Sequence, residues 1–306
     1  MFTPSYIALH QTGELAERAE ALAGLSRPCR LCPHGCAVER TPEKLGVCGS
    51  GHQVRVSGAF AHFGEEPPLV GRLGSGTIFF CGCNLRCCFC QNWDISHGTD
   101  RGHALSDEQL ARLMLELQLA GCHNINLVTP THYVHGIVAA LELAAGQGLS
   151  LPLVYNCGGY ESPEVLGLLE GVVDIYMPDA KFFDDGAAAG FVSAADYGTR
   201  AREAIAEMHR QVGVLQCTPD GIAHRGLLIR HLVMPGSLAG TRAWAHWIAA
   251  SLSPDSYVNI MDQYRPCHRA SDHPEINRRP APEEYRQAVE EARAAGLSGR
   301  GFLNER

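Results

Sequence analysis

Apolar residues along this chain gather in short runs separated by amphipathic stretches with helical spacing. Thr77 to Cys81 is continuously apolar, as a parallel strand covered on both faces would be. Asn124 to Thr129, Leu153 to Asn156, Val172 to Met177, Leu227 to Val233 and Tyr257 to Met261 read as further strands. Behind Ser106-Asp107-Glu108-Gln109, a capping box, Leu110, Leu113, Met114 and Leu117 recur at i, i+3, i+4 and i+7. Val134, Ile137, Val138 and Leu141 share a second helical face, and Ser162-Pro163 supplies an N-cap with a proline at N1. Helices are also expected around 188–210, 239–251 and 282–294.

Strand and helix alternate six times. Right-handed crossovers then make the strands parallel neighbours, and six units curl into an open, partial (β/α)6 barrel, with a flat doubly wound sheet as the alternative. Val214 to Cys217 and the run from Gly226, joined around Asp220-Gly221, suggest an inserted hairpin. The expected organisation is a helical arm over 1–27, with Leu15, Ala19 and Leu22 on one face and a break at Gly24-Leu25-Ser26. A Cys-rich module follows over 28–73, then the barrel over 74–268 and a helical segment over 269–306.

Residues 28–56 carry Cys29, Cys32, Cys36 and Cys48 among Pro33, Gly35, Gly46 and Gly49, a stretch too short and too broken for an apolar core. A bound metal would replace that core. Four soft ligands at this spacing suit tetrahedral zinc or an auxiliary iron–sulfur cluster, with His34 and His52 as alternative donors.

Composition narrows the choices. With 45% hydrophobic and 19% charged residues over 306 positions, the chain is expected to be globular. It has no apolar run of membrane-spanning length, and Met1 to His10 lacks a basic start, so a cytoplasmic, non-membrane protein is expected. In that compartment thirteen cysteines are better read as metal ligands than as disulfides. A net charge of −8 disfavours a grip on nucleic acid.

Cys83, Cys87 and Cys90 form a C-x3-C-x2-C loop directly after the first barrel strand, at the end where β/α folds place their sites. Three thiolates on one tight loop can hold a cubane and leave one iron without a protein ligand. With the aromatic Phe89 just before the last cysteine, this loop resembles the signature of the radical S-adenosylmethionine (SAM) superfamily. The resemblance implies a [4Fe–4S] cluster and SAM as cofactors, Phe89 beside the adenine, and formation of a 5′-deoxyadenosyl radical. It also implies a radical SAM barrel carrying a small Cys-rich N-terminal module.

More narrowly, Cys32-Pro33-His34-Gly35-Cys36, Gly46-Val47-Cys48-Gly49, Glu65-Glu66-Pro67, Gly74-Ser75-Gly76-Thr77 and Met261 to Pro266 resemble a pyruvate formate-lyase-activating-enzyme-like branch, over about 28–268. That likeness implies hydrogen abstraction from a substrate such as a glycine Cα of a partner protein, with flavodoxin or ferredoxin as reductant. A small molecule or RNA is the alternative substrate, and a non-enzymatic iron–sulfur electron carrier the alternative class.

For SAM, Asp179-Ala180-Lys181 resembles the Asp-x-Lys of glycyl-radical activating enzymes, and Asn156 is placed to reach the ribose. Thr129 stands where many members carry Gly-Gly-Glu, and Arg230 is set in an apolar strand where alternation can turn it inward. His132, His135, Gln263, Tyr264, Cys267 and His268 are candidates to line a substrate pocket. Cys81, Cys88, Cys122, Cys157 and Cys217 read as buried fillers.

Overall fold

The computed structural model describes residues 2–41, 44–98 and 101–302. Its centre is a nine-stranded sheet built from β1 (Arg55–His62), β2 (Ser75–Phe80), β3 (His103–Ala104), β4 (Ile125–Val128), β5 (Leu153–Cys157), β6 (Ile175–Pro178), β7 (Gln216–Cys217), β8 (Ala223–Leu232) and β9 (Tyr257–Met261). The order is β3-β1-β2-β4-β5-β6-β8, with β7 and β9 both paired to β8. β2, β4, β5, β6, β8 and β9 run parallel, as the six β/α units require.

The two sheet faces bury different things. Leu127, Tyr155, Tyr176 and Ile229 point to the helical layer and join the main core. Val154, Ile175, Met177 and Leu228, alternating with them, form a smaller apolar cluster with Leu69, Leu215 and Ala223. On that same inner face, further along the strands, the side chains become polar: Asn156, Asp179, Arg230. One cavity is lined by residues from all six parallel strands or the turns directly after them, from Phe80 through Val128, Asn156, Asp179 and Leu232 to Met261. The first and last strands therefore meet around a common space, and the sheet curls into an open barrel.

The crossover helices form where the spacing places them. Asp107–Leu119 carries the capping box, with Gln109 N–H donating to Ser106 Oγ at 3.3 Å and Ser106 N–H donating to Gln109 Oε1 at 2.8 Å. Thr241–Ser251 and Pro282–Ala294 match their expected ranges closely, whereas the helix expected at 188–210 is Tyr197–Val212. The hairpin forms, but its return strand begins at Ala223 rather than Gly226.

Three features differ from the sequence reading. The N-terminal arm is two helices, Tyr6–Thr12 and Glu14–Leu25, because Gly13 at φ 83° is left-handed and ends the first. β1, not foreseen, pairs antiparallel with β2, so the sheet starts at Arg55 rather than Gly74. Cys217 is exposed on β7 rather than buried, and Cys88 is only half-buried. Among the described residues no helix is long and apolar enough to cross a membrane.

Candidate active site

The loop after β2 carries Cys83, Cys87 and Cys90 into the cavity, and neighbouring backbone fixes it from both sides. Cys88 N–H donates to the Phe191 carbonyl at 2.9 Å, and the Leu85 and Cys88 carbonyls accept from Ser193 and Arg269 at 2.7 and 2.8 Å. Arg86, at φ 44°, takes the left-handed turn that lets the three cysteines face one way. All three sulfur-bearing residues line the cavity, and Ser96 Oγ stands 3.2 Å from Cys90 Sγ.

Burial pushes the Cys83 thiol up to about 11, and does the same more strongly to Cys87, against the pull of Lys181. Metal binding releases such protons outright. Three inward thiols on one loop, with open space in front of them, fit a cubane with one free iron. Among the described residues no group of three or more His, Cys, Asp or Glu side chains is gathered as for a bound metal ion, either on this loop or at Cys29 to Cys48.

Opposite the loop stands a charged layer. Arg230 Nε donates to Asp179 Oδ1 at 2.9 Å, Arg230 Nη2 donates to Asn156 Oδ1 at 2.9 Å, and Lys181 Nζ meets Asp179 Oδ2 at 2.5 Å. Burial disfavours the Asp179 charge, but Arg230 and Lys181 more than offset it and hold the carboxyl below the usual aspartate range. The Tyr197 hydroxyl accepts from Lys181 N–H at 3.0 Å and lies 2.7 Å from the Asp179 carbonyl, which fixes the strand end.

Phe89 meets Phe182 and Tyr264 edge-on at 5.9 and 6.0 Å, an apolar wall beside the cysteines. Thr129 sits at φ 61° with its N–H donating to the Asn156 carbonyl at 2.8 Å. For a β-branched residue that conformation costs on the order of 1–3 kcal/mol, and it turns the backbone just after β4 toward the cavity.

Every SAM-contact candidate, Phe89, Thr129, Asn156, Asp179, Lys181 and Arg230, lines the cavity with the three cysteines, and so do Gln263 and Tyr264. His132 and His135 do not. His132 Nε2 lies 2.7 Å from the Cys81 carbonyl and His135 Nε2 lies 3.0 Å from the His52 carbonyl, both inside the protein, where burial pushes each ring down to about 3. They are neutral structural residues. Cys267 is half-buried beside the site, and His268 stacks on Trp93 with centroids 5.4 Å apart.

Glu65 and Glu66 are charged-layer residues that sequence reasoning did not assign. Arg230 Nη1 lies 3.8 Å from Glu65, and Asn259 Nδ2 donates to Glu66 Oε1 at 3.1 Å. In the sequence they figure only in the Glu65-Glu66-Pro67 motif of the resemblance, with no role given to either acid.

The Cys-rich segment packs behind the cluster loop. Cys83 N–H donates to the Cys48 carbonyl at 3.2 Å, and His34 Nε2 lies 2.8 Å from the Asn84 carbonyl. Among the described residues, none of 28–73 lines the cavity, although Glu65 reaches the charged layer through Arg230.

The model of the radical SAM superfamily matches residues 77–230, which run from β2 to Arg230 and so span the cluster loop and the charged layer. The chain belongs to the radical SAM superfamily. An uncharacterized protein of Methanocaldococcus jannaschii is 32% identical to this radical SAM protein over 289 residues, covering 92% of this chain and 78% of that relative. The likeness thus extends through the Cys-rich segment as well as the barrel. Membership makes the protein a radical SAM enzyme, for which a [4Fe–4S] cluster and SAM are the implied cofactors.

Proposed function

We propose that this radical SAM enzyme abstracts a hydrogen atom from a polypeptide, with a glycine Cα of a partner protein as target and flavodoxin or ferredoxin as electron donor. The observation that carries the reading is the lining of the cavity beside the cysteines. Gln91, Asn92 and Gln263, three amide residues, line it, and side-chain amides pair well with the N–H and C=O groups of an extended chain.

Cys83, Cys87 and Cys90 would hold the cluster. Bound there, the cluster and SAM supply the 5′-deoxyadenosyl radical. Asp179 would accept from the ribose or ammonium groups of SAM, Lys181 and Arg230 would face its carboxylate, and Asn156 and Thr129 would complete the polar side. Phe89, with Phe182 and Tyr264, offers the adenine an apolar wall that excludes water. Cys29, Cys32, Cys36 and Cys48 would hold a second metal centre, zinc or iron–sulfur.

The test is isotope transfer. Reconstituted enzyme, dithionite and SAM are incubated with peptides carrying Cα-deuterated glycine, and 5′-deoxyadenosine is analysed by mass spectrometry. Deuterium in 5′-deoxyadenosine is the expected result. Unlabelled product formed only with a small molecule or RNA present would move the substrate there, and no SAM cleavage by a reducible cluster would favour an electron carrier.

A further inference from the structure

Arg40 lies between the Cys-rich segment and the barrel with 2% of its surface exposed. Its Nη1 donates to the His132 carbonyl at 2.5 Å, its Nη2 faces Cys48 Sγ at 3.7 Å, and its Nε has no hydrogen-bond partner among the described residues. Among the described residues no carboxylate stands within ion-pair distance of it. The thiols of Cys48, Cys29 and Cys32 stand near enough to act on its charge.

A guanidinium cannot shed its proton, so removal from water demands a negative partner. Neutral thiols, which carry no charge, do not supply one. A metal would. Zn2+ bound by four thiolates and [4Fe–4S]2+ bound by four thiolates both carry a net charge of about −2.

The local backbone leaves room for such a centre. A Cβ on Gly46 would stand 3.3 Å from Cys48 Sγ, 3.6 Å from Cys36 Sγ and 3.7 Å from Arg40 Nε. Glycine thus keeps open the point where two sulfurs and the guanidinium come together. The described residues of 28–54 hold no helix and no strand beyond a single bridge at Cys29, so little regular structure among them resists drawing the four sulfurs inward.

We infer that Cys29, Cys32, Cys36 and Cys48 form a dianionic metal–thiolate centre whose buried counter-ion is Arg40, an inference that rests on the second metal centre proposed above. Arg40 is a positioning residue: it donates toward Cys48 sulfur on one side and to the His132 carbonyl after β4 on the other, tying the centre to the barrel.

The experiment measures metal content and release to chelator in the full-length protein, for wild type, Arg40→Lys and Arg40→Leu, with circular dichroism as the folding control. Wild type should hold about one zinc, or about four irons, beyond the roughly four irons of the radical cluster. Elemental analysis separates the two. Arg40→Leu should release that metal at least about tenfold faster, and Arg40→Lys, which keeps the charge, should stay close to wild type. Should Arg40→Leu fail to fold, Arg40→Gln keeps a donor for the His132 carbonyl without the charge and reads the same rate. Equal release from the charged and uncharged variants overturns the role of Arg40 while leaving the centre standing. Wild type with no metal beyond the radical cluster overturns the centre itself.

Discussion

Arg230 reaches from β8 to Asp179 at the end of β6, and the same carboxylate takes Lys181 on its second oxygen, so one acid serves two cations. The three side chains retain only 16–21% exposure. Asp179→Asn would leave both cations short of a counter-charge, a loss on the order of 3 kcal/mol for a pair this buried. Because the folded carboxyl titrates below its unfolded value of about 3.9, its contribution is complete above that pH and is lost as pH falls through the lower folded value. Urea midpoints of wild type and Asp179→Asn should therefore differ by a constant amount from pH 7 to about pH 5 and converge below about pH 4. A gap that persists unchanged to pH 3 contradicts this.

Glu161 titrates in the opposite sense. Burial pushes its carboxyl up to about 7, with Thr131 Oγ1 and Tyr155 hydroxyl donating at 2.8 and 3.0 Å in partial compensation. The folded state then holds the proton more tightly than the unfolded chain, so this group removes stability as pH rises from about 4.5 to about 7, roughly 3 kcal/mol in all. Glu161→Gln should gain on wild type over that interval and keep a constant offset above it. Parallel stability curves for the two proteins from pH 5 to 8 would refute the shift.

Much of this architecture was readable because buried parallel strands write continuous apolar runs, and because Asp179, Lys181 and Arg230 are charges at the ends of such runs. β1 was not. Along Arg55 to His62 only Val56 is fully buried, and the register slips between Val56 and Gly58, so neither alternation nor an apolar run marks the strand. Glu65 and Glu66 escaped for another reason: their burial depends on the curl that brings β8 and β9 over the loop before β2, a relation no local spacing encodes. His132 and His135 look like pocket residues in sequence because they follow a strand end. Their side chains instead satisfy carbonyls beneath the cluster loop and the Cys-rich segment.

Replacement of Cys83, Cys87 or Cys90 by Ala should remove about four irons per chain and bring 5′-deoxyadenosine formation to background. Circular dichroism should remain that of the wild type, because the loop is held by its own backbone bonds to Phe191, Ser193 and Arg269. Unchanged 5′-deoxyadenosine yield in any one of the three would remove that residue from the ligand set.

Gly82, at φ 85°, holds the cluster loop against the Cys-rich segment. A Cβ there would fall 2.2 Å from Ser50 Oγ and 2.9 Å from the Cys48 carbonyl. Gly82→Ala should therefore displace the loop and lower reconstituted iron, and Ser50→Gly in the same chain should restore only part, because the backbone strain of about 1 kcal/mol and the Cys48 contact remain. Full iron loading in Gly82→Ala would show that the two segments tolerate separation.

The antiparallel pairing of β1 with β2 also governs how the chain behaves in solution. A protein begun at Gly74 would contain every parallel strand yet leave the free side of β2, Ser75 to Phe80, as an apolar edge with unpaired backbone groups. Such an edge recruits strands from other molecules, so the shortened chain would be expected to aggregate. The segment ahead of the barrel thus acts as a guard on solubility, separately from any metal it carries.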